Sequence, residues 1–369
     1  MKNSEIKIIK TDCLVIGGGI FGCHAAITLA ENSNVILVEK DKELLTQASL
    51  YNQTRIHTGA HYPRAPFTAF SARKNLLRFE KDFANAVNKQ FTHSYAIARD
   101  NSFTDSITFE KFLNWLEIRF ERYDDGDIFN SGRISSAYRI QENSFDPNVI
   151  RKSYETKLFE NNVKIMLTTE VISGSKQMDG YHTLVKVGGI IYKIISQKVI
   201  NATYSKLNQV NELYGTPLLP LKNEKARLIF LKIPNWDSRA VTIMDGPFLS
   251  LTPYGLSGLH VLTSVTYTHQ KISEVDANLQ YNLNNSKEYN LTNDNLILNQ
   301  LKNFLPNIGS YYHHGSKTIV KTTLKSDDNR DERPTVVYKF EDFPGYYSIL
   351  AGKVSSIYEV EEFFANERE

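Results

Sequence analysis

The chain has 369 residues, with 43 basic and 41 acidic side chains and a formal charge of +2. Because the charges nearly balance, nucleic acid and anionic membrane surfaces are disfavoured as partners, and a small-molecule substrate is expected. The length allows two compact domains. The two cysteines, Cys13 and Cys23, lie in an apolar run. They are expected to be buried without a disulfide, which fits a reducing, cytoplasmic location.

The first predicted elements lie in residues 13–30, CLVIGGGIFGCHAAITLA. Asp12 precedes this run and no small-residue cleavage site follows it, which argues against a signal peptide. Glycines interrupt the about 20 apolar residues that a membrane span needs, so no transmembrane segment is expected. CLVI predicts a strand buried on both faces. A helix is predicted from Ile20 to the polar pair Glu31 and Asn32, and VILVE predicts a second buried strand.

Three glycines, Gly17, Gly19 and Gly22, form the pattern G-x-G-x-x-G between the first strand and the helix. In a dinucleotide-binding turn the first glycine allows a tight bend, the second lets the backbone approach a pyrophosphate, and the third lets helix and strand pack closely. Glu39 ends the second strand, where an acidic residue accepts hydrogen bonds from ribose hydroxyls. This carboxylate would repel the 2′-phosphate of NADP, although Lys40 beside it leaves that point open.

The segment after the second strand, residues 47–66, is QASLYNQTRIHTGAHYPRAP and is rich in turn formers and hydrogen-bonding side chains. Here the sequence resembles the D-amino-acid oxidase (DAO) family of FAD-dependent oxidoreductases, which includes glycine oxidase, glycerol-3-phosphate dehydrogenase and 2-hydroxyglutarate oxidase. In that family an A-S…N-S-x-x-I-H-x-G segment runs past the pyrophosphate and beneath the flavin ring. The residues that fall on it are Ala48, Ser49, Asn52, Thr54, Ile56, His57 and Gly59.

Later stretches resemble the same family in the same order. Residues 145–171 predict a helix over 148–160 and a strand over 163–167, after which the backbone near Val171 would bracket the adenine. The sequence NAT at 201–203 falls where the family closes its nucleotide domain with an Ala-Thr or Ala-Gly turn.

The C-terminal half departs from the family pattern at one position and matches it in two further stretches. The departure is Tyr204, which stands where the family usually has a glycine. Arg333 precedes a predicted strand, and AGKVSS at 351–356 is closest to the family's GGK-x-T-T form. The residues after Gly352 predict a helix whose first turn faces the flavin.

The resemblance implies an α/β fold. It consists of a Rossmann-like FAD-binding domain of the glutathione-reductase type and a second, mainly antiparallel β-sheet substrate domain. The FAD-binding domain would be discontinuous, comprising residues 1–82, 148–216 and 317–369. The substrate domain would comprise residues 83–147 and 217–316.

The predicted substrate domain contains four strand-like runs between 227 and 269. They are RLIFLKI, AVTIM, FLSLTPY and GLHVLTSVTYTH, and their β-branched and aromatic residues suit an antiparallel sheet. LTNDNLILNQLKNFLP predicts a helix capped at Thr292 or Asn293 and ended by Pro306.

FAD is the cofactor that the resemblance implies, held by the turns and loops described above. The residues expected to bind it are Gly17, Gly19, Ile20, Phe21, Gly22, Glu39, Lys40, Ala48, Ser49, Asn52, Arg55, Ile56, His57, Val171, Ala202, Thr203, Gly352, Lys353 and Val354. Arg55 is expected to neutralise pyrophosphate charge. Lys353 and the amides of the last helix would stabilise the negative N1 and O2 edge of reduced flavin; the alternative for Lys353 is an ordinary surface lysine.

The chemistry that the resemblance implies is direct oxidation, in which a hydride passes to flavin N5 from a carbon bearing an amine or hydroxyl. Arg333 is the first candidate to clamp a substrate carboxylate or phosphate, because a guanidinium binds such groups through two hydrogen bonds; the alternative is a surface salt bridge. His57 could orient the substrate, act as a base, carry a covalent flavin link, or support the backbone. Further candidate residues on the substrate side of the ring are His61, Tyr62 and Tyr254.

Two other functions remain open from the sequence. One is a flavin monooxygenase reduced by NAD(P)H, and the other is a non-catalytic flavin-binding subunit. The electron acceptor could be O₂, a quinone or a protein. No metal-ligand spacing stands out, so no metal site is expected.

Overall fold

The computed structural model describes residues 6–123, 127–236, 238–271, 287–325 and 333–367. The strands are β1 (Lys7–Ile16), β2 (Val35–Val38), β3 (Arg55–Ile56), β4 (Val87–Asn88), β5 (Thr92–Ala98), β6 (Phe120–Tyr123), β7 (Ile134–Ile140), β8 (Asn143–Phe145), β9 (Lys164–Met166), β10 (Thr169–Gln177), β11 (Gly180–Val187), β12 (Ile190–Asn201), β13 (Leu221–Lys232), β14 (Arg239–Met244), β15 (Leu249–Pro253), β16 (His260–Ser264), β17 (His269–Lys271), β18 (Tyr312–Leu324), β19 (Val336–Lys339) and β20 (Tyr346–Leu350).

The α-helices are α1 (Ile20–Ala30), α2 (Pro66–Lys74), α3 (Leu76–Asp82), α4 (Ser106–Trp115), α5 (Pro147–Glu160), α6 (Leu207–Tyr214), α7 (Val265–Thr268), α8 (Lys287–Phe304) and α9 (Ile357–Asn366). Short 3₁₀ turns cover Ala84–Ala86, Tyr204–Lys206 and Val354–Ser356. Within the described residues, no helix combines the length and the apolar character that crossing a membrane requires.

The first sheet contains the predicted nucleotide-binding strands. Its order is β10-β11-β12-β1-β2-β9, and β20 joins it by pairing with β12. The pairs of β1 with β12 and β2, of β2 with β9 and of β12 with β20 are parallel, which matches the predicted Rossmann-like arrangement. Leu14 and Leu37, on the two central strands, are fully buried, as strands covered on both faces require.

Among the helices that cover this sheet, α1 and α5 begin and end close to the predicted positions, whereas α6 was not predicted and α9 begins later than predicted. On one face α1, α5 and α9 pack into a core that includes Tyr154 and Phe364, while α6 packs on the other face. The α5 helix starts where Pro147 takes the first helical position and the Asp146 side chain accepts from the amides of Asn148 and Val149.

Strand β1 is longer than the predicted strand CLVI. Its first half begins at Lys7, is largely exposed, and pairs in register with Tyr192 to Ser196 of β12. An alternating, solvent-facing segment carries little hydrophobic signal, so pairing with a distant strand extends β1 beyond what its own sequence indicates. Cys13 and Cys23 are buried free thiols, as expected.

The second sheet is mainly antiparallel, as predicted. Its order is β17-β13-β16-β15-β14-β5-β7-β6, with β18 paired to β13, and the parallel pair is β14 with β5. A small sheet of β3, β8 and β4 lies between segments assigned to the two predicted domains.

Two predicted elements of this region were wrong in their limits. The run GLHVLTSVTYTH is not one strand, because β16 ends at Ser264 and the next residues form α7. Helix α8 begins at Lys287 rather than at a cap on Thr292 or Asn293. Asn293 lies inside the helix and its side-chain amide donates to the carbonyl of Tyr267, so a tertiary contact replaces the predicted cap.

The division into two discontinuous domains stays a prediction. Strand β18 pairs antiparallel with β13 from Leu221 to Lys232, so the predicted boundary between residues 316 and 317 falls inside one strand of the second sheet.

Candidate active site

A cavity of about 1460 Å³ is lined by residues of both large sheets. This volume exceeds the roughly 300–1,000 Å³ of a typical small-ligand pocket, so it has room for a dinucleotide and a second molecule. Gly17 follows the carboxyl end of β1 and Glu39 that of β2, and both line the cavity. Open parallel sheets bind ligands at this edge.

The glycine turn has the geometry that a dinucleotide diphosphate requires. Gly17 has a φ of +104°, and a Cβ on it would lie 2.8 Å from the carbonyl oxygen of Ala202. Gly22 does not line the cavity; a Cβ there would lie 1.9 Å from the carbonyl oxygen of Gly17, so its role is close packing. The first amides of α1 have no partners within the helix, and the Ile20 amide donates to Ser49 Oγ at 3.0 Å.

Glu39 is fixed at the end of β2. Its Oε2 accepts from the Gly18 amide at 2.6 Å and its Oε1 from the Asp41 amide at 2.9 Å. Each carboxylate oxygen can accept more than one hydrogen bond, so the anchored group can still accept from a sugar hydroxyl. Lys40 lines the cavity beside it.

The loop from Ala48 to His57 lines the cavity as the resemblance implied, and Asn52 shapes it. The Asn52 amide donates to the carbonyls of Ala48 and Ser49 at 3.0 Å, and its oxygen accepts from the Thr54 amide at 2.6 Å. Ile56 is the exception among the residues of this segment that were expected to bind FAD. It is buried in the core beneath the first sheet rather than in the cavity wall.

Arg55 is not placed to neutralise a pyrophosphate, which corrects the sequence-based expectation. Its side chain is 1% exposed and pairs with the fully buried carboxylate of Glu142, with Nε at 2.7 Å and Nη2 at 2.5 Å from Oε1. Nη2 also donates to the Tyr95 hydroxyl. Although Arg55 lines the cavity, its charge is directed at Glu142.

His57, His61 and Tyr62 form an aromatic cluster in the cavity wall. The two imidazoles stack with centroids 5.6 Å apart, and each lies edge-on to Tyr62 at 5.3 and 5.1 Å. Lys353 Nζ lies 4.3 Å from the centroid of the Tyr62 ring. Burial, followed by the charges of Arg55 and Lys353, lowers the pKa of both histidines well below the usual value. Both imidazoles are therefore neutral at physiological pH.

The C-terminal turn brings Arg333 and Lys353 to the same cavity. A Cβ on Gly352 would lie 2.4 Å from the carbonyl oxygen of Arg333, so the two segments touch. The predicted helix begins one turn later than expected, after the 3₁₀ turn Val354–Ser356, in which the Lys353 amide donates to Ser356 Oγ at 3.1 Å. The Lys353 amide is thus already bonded within the turn.

Tyr204, in the place of the family's usual glycine, has a φ of +54°. Glycine adopts this left-handed backbone without strain, whereas a residue with a side chain is strained at such a φ. Ala202, Thr203 and Tyr204 all line the cavity, as does Val171 from β10.

Tyr254 was a wrong choice as a cavity residue. It follows β15, does not line the cavity, and its hydroxyl donates to the carbonyl of Leu50 at 2.6 Å. Its ring packs edge-on against Phe230. Tyr254 therefore supports the loop from outside the cavity.

Sequence reasoning missed several residues of the site. They are Glu142, Tyr95 and His93 behind the histidines, Lys321 in the wall, and the ion pair of Arg64 and Asp245, whose Nε and Oδ2 lie 2.6 Å apart. A lone charge within a strand-like run, as for Lys321 in TIVKTTL, was the available signal. For Glu142 the loop sequence carries none.

Comparison with known proteins identifies the family. The model of the DAO family, FAD dependent oxidoreductases, matches residues 12–316. This chain belongs to the DAO family. The protein is accordingly an FAD-dependent oxidoreductase. This finding argues against the alternative function of a non-catalytic flavin-binding subunit.

Individual relatives cover nearly the whole DAO-family chain. It is 26% identical over 377 residues to the FAD-dependent monooxygenase FPY4 of Fusarium mangiferae, covering 99% of this chain and 94% of that protein. Glycine oxidase from Geobacillus kaustophilus has a similar fold, with a TM-score of 0.78, 11% identity and coverage of 98% and 95%. Dithionite-reduced L-α-glycerophosphate oxidase from Mycoplasma pneumoniae, solved with FAD bound, gives a TM-score of 0.75, 16% identity and coverage of 96% and 93%.

Proposed function

We propose that this enzyme oxidises a CH–OH or CH–NH group of a small anionic substrate and that the hydride passes to flavin N5. The observation that carries this proposal is that three cationic side chains, Lys321, Arg333 and Lys353, line the same cavity as His61. Burial, then Arg55, Lys353, Arg333 and Lys321, lowers the pKa of His61. An anion in this wall would be surrounded by positive charge.

The turns described above fit FAD. The glycine turn would hold its diphosphate, Glu39 its ribose, and the wall around His57 and Lys353 its ring system. When bound, FAD supplies the hydride acceptor.

The remaining tasks belong to the side chains of the cavity. Arg333 and Lys321 would bind the anionic group and so hold the reacting carbon in place. A neutral imidazole, His57 or His61, can accept the proton that the hydroxyl or amine loses. Tyr62, whose ring lies edge-on to both imidazoles, would limit the access of water to the space between His57 and His61.

The first experiment is a substrate screen. The purified protein, loaded with FAD, is mixed without oxygen with hydroxy acids, amino acids, sugar phosphates and amino sugars, and the flavin absorbance is followed. We expect loss of the yellow colour with an anionic compound and without a nicotinamide. If only uncharged compounds bleach the flavin, the anionic substrate class is wrong.

Arg333→Ala then tests the anion clamp. We expect KM for the anionic substrate to rise about 10- to 100-fold, the value of one charge-assisted hydrogen bond, with a much smaller change for a neutral analogue. Arg333→Lys should recover part of the loss. The matched control is Arg139→Ala, an exposed arginine paired with Glu121. Equal KM changes for both substrates would contradict the clamp.

A flavin monooxygenase is the second candidate, because the monooxygenase FPY4 aligns with almost the whole chain. It would need NAD(P)H to reduce the flavin before O₂ is activated. Rapid bleaching by NADPH alone, with no bleaching by the anionic compounds, would favour this function.

A further inference from the structure

The cluster behind His57 contains a buried ion pair that the proposed reaction does not use. The Glu142 carboxylate accepts from Arg55 through Oε1. Its Oε2 accepts from the Thr58 amide and hydroxyl, both at 3.1 Å, and from the Tyr95 hydroxyl at 2.9 Å. Four hydrogen bonds and a second ion-pair contact from Arg55 thus hold one carboxylate whose side chain is 0% exposed.

The groups packed around this pair are uncharged. The Nδ1 atoms of His57 and His93 each lie 3.8 Å from Glu142 Oε1. Burial, with the charge of Arg55, lowers the pKa of both histidines, and burial raises the pKa of Tyr95. Arg55 and Glu142 are therefore the two formal charges of this cluster, and they cancel.

The two charges differ in their position relative to the cavity. Arg55 and His57 line it, whereas Glu142 does not. The pair therefore borders the cavity through Arg55, whose guanidinium is itself buried against Glu142 with its side chain 1% exposed. Buried charges are weakly screened by water and salt, so the cavity is sensitive to the balance between the two.

We propose that Glu142 sets the reduction potential of the bound flavin by cancelling the charge of Arg55 at the cavity wall. The inference rests on the proposed function for the placement of the flavin ring beside His57. Reduced flavin carries negative charge at its N1 and O2 edge. An uncompensated guanidinium would stabilise that form further, and Glu142 prevents this by cancelling the charge of Arg55, which leaves Lys321, Arg333 and Lys353 as cations of the wall.

The test measures the midpoint potential of FAD-loaded protein against a reference dye, with dithionite as reductant and no substrate. Glu142→Gln keeps the shape of the side chain and removes its charge. We expect it to favour reduced flavin at least about tenfold, which is about 30 mV for a two-electron couple. Glu142→Asp keeps the charge and should restore a potential near that of the wild type.

The double variant Arg55→Gln with Glu142→Gln removes both charges and should return the potential toward the wild-type value. A merely structural role would not produce a rise in one variant and its reversal in the other. A Glu142→Gln protein that binds FAD with an unchanged potential, or a double variant that keeps the full shift, overturns the proposal.

A matched control comes from Arg227 and Asp294. This pair is also largely buried, with side chains 15% and 5% exposed and Nε 2.8 Å from Oδ1, but neither residue lines the cavity. Asp294→Asn leaves an unpaired arginine in the same way. It should lower stability without moving the potential, and an equal shift in this control would overturn the proposal.

Loss of a partner from a buried ion pair costs about 3–5 kcal/mol, a cost that Glu142→Gln and Arg55→Gln share. Either variant that folds and binds FAD tests the proposal, because the two are expected to shift the potential in opposite directions. Arg55→Gln removes the positive charge of the pair and is expected to disfavour reduced flavin at least about tenfold; an unchanged potential overturns the proposal. Because no substrate is used, bleaching by NADPH alone would defeat the proposed reaction without touching this inference.

Discussion

At the scale of single residues, the glycines of the first turn are constrained by neighbouring backbone atoms. Gly22 lies so close to the Gly17 carbonyl oxygen that a Cβ would be 1.9 Å from it. We therefore expect Gly22→Ala to move α1 away from the turn, to cost at least the about 1–3 kcal/mol of an overpacked site, and to remove FAD binding. Denaturant unfolding and the flavin content of the purified protein measure the two effects.

The control for this substitution is Gly132→Ala. The nearest atom to a Cβ there is Asn130 Oδ1 at 3.4 Å, an ordinary contact. Normal flavin content and stability are expected for it. A Gly22→Ala protein with the flavin content and stability of this control would show that the turn has room for a side chain next to the Gly17 carbonyl oxygen, contrary to this description.

Single residues also show where sequence reasoning ends. Gly17, Gly22 and Glu39 could be identified because a strand, a glycine turn and a helix follow one another within one short segment. Glu142 meets Arg55 from 87 residues away in the sequence, through the pairing of β3 with β8. A contact made by tertiary packing leaves no local sequence pattern. The pairing of the Arg55 and Glu142 charges therefore could not be predicted from the sequence.

At the scale of elements, α1 and α9 are joined at their outer surfaces by Glu361. Its carboxylate accepts from His24 at 3.1 Å and from Arg78 of α3 at 2.7 Å. The hydrogen bond from His24, followed by that from Arg78, lowers the pKa of Glu361 to about 2. A carboxylate that ionises more easily in the folded state stabilises it above its unfolded pKa and loses that effect as the pH falls.

We predict that Glu361→Gln lowers the free energy of unfolding at pH 7 by about 1 kcal/mol, a value reduced for the partial exposure of the pair. The difference from the wild type should shrink as the pH falls from about 4.5 toward 2. Urea unfolding at several pH values measures it, with Glu160→Gln at the exposed end of α5 as control. A difference that stays constant with pH would show that the ionised carboxylate is not the cause.

The elements themselves were predictable where their own sequence decides them. Helix α5 has a capping aspartate and a proline at its start, and β2 is a continuous apolar run. The outer half of β1 and the break between β16 and α7 depend on neighbours in the sheet, which hydrophobic pattern does not encode.

At the scale of the whole molecule, bound FAD is expected to stabilise both large sheets at once, because residues of both line one cavity. A ligand that binds only the folded state at 100 times its Kd adds about 2.7 kcal/mol. Thermal unfolding of apoprotein should therefore shift upward with added FAD, and Gly22→Ala should show no shift. An apoprotein whose unfolding is independent of FAD would contradict this organisation.

The central claim is that the substrate's own C–H bond supplies the hydride. Its most direct test compares flavin reduction in a single anaerobic turnover by the identified anionic substrate and by the same compound carrying deuterium on the reacting carbon. We predict that the flavin bleaches clearly more slowly with the deuterated compound. With either form, bleaching should need no nicotinamide. Equal rates for the two isotopic forms, together with reduction by NADPH alone, would contradict the account.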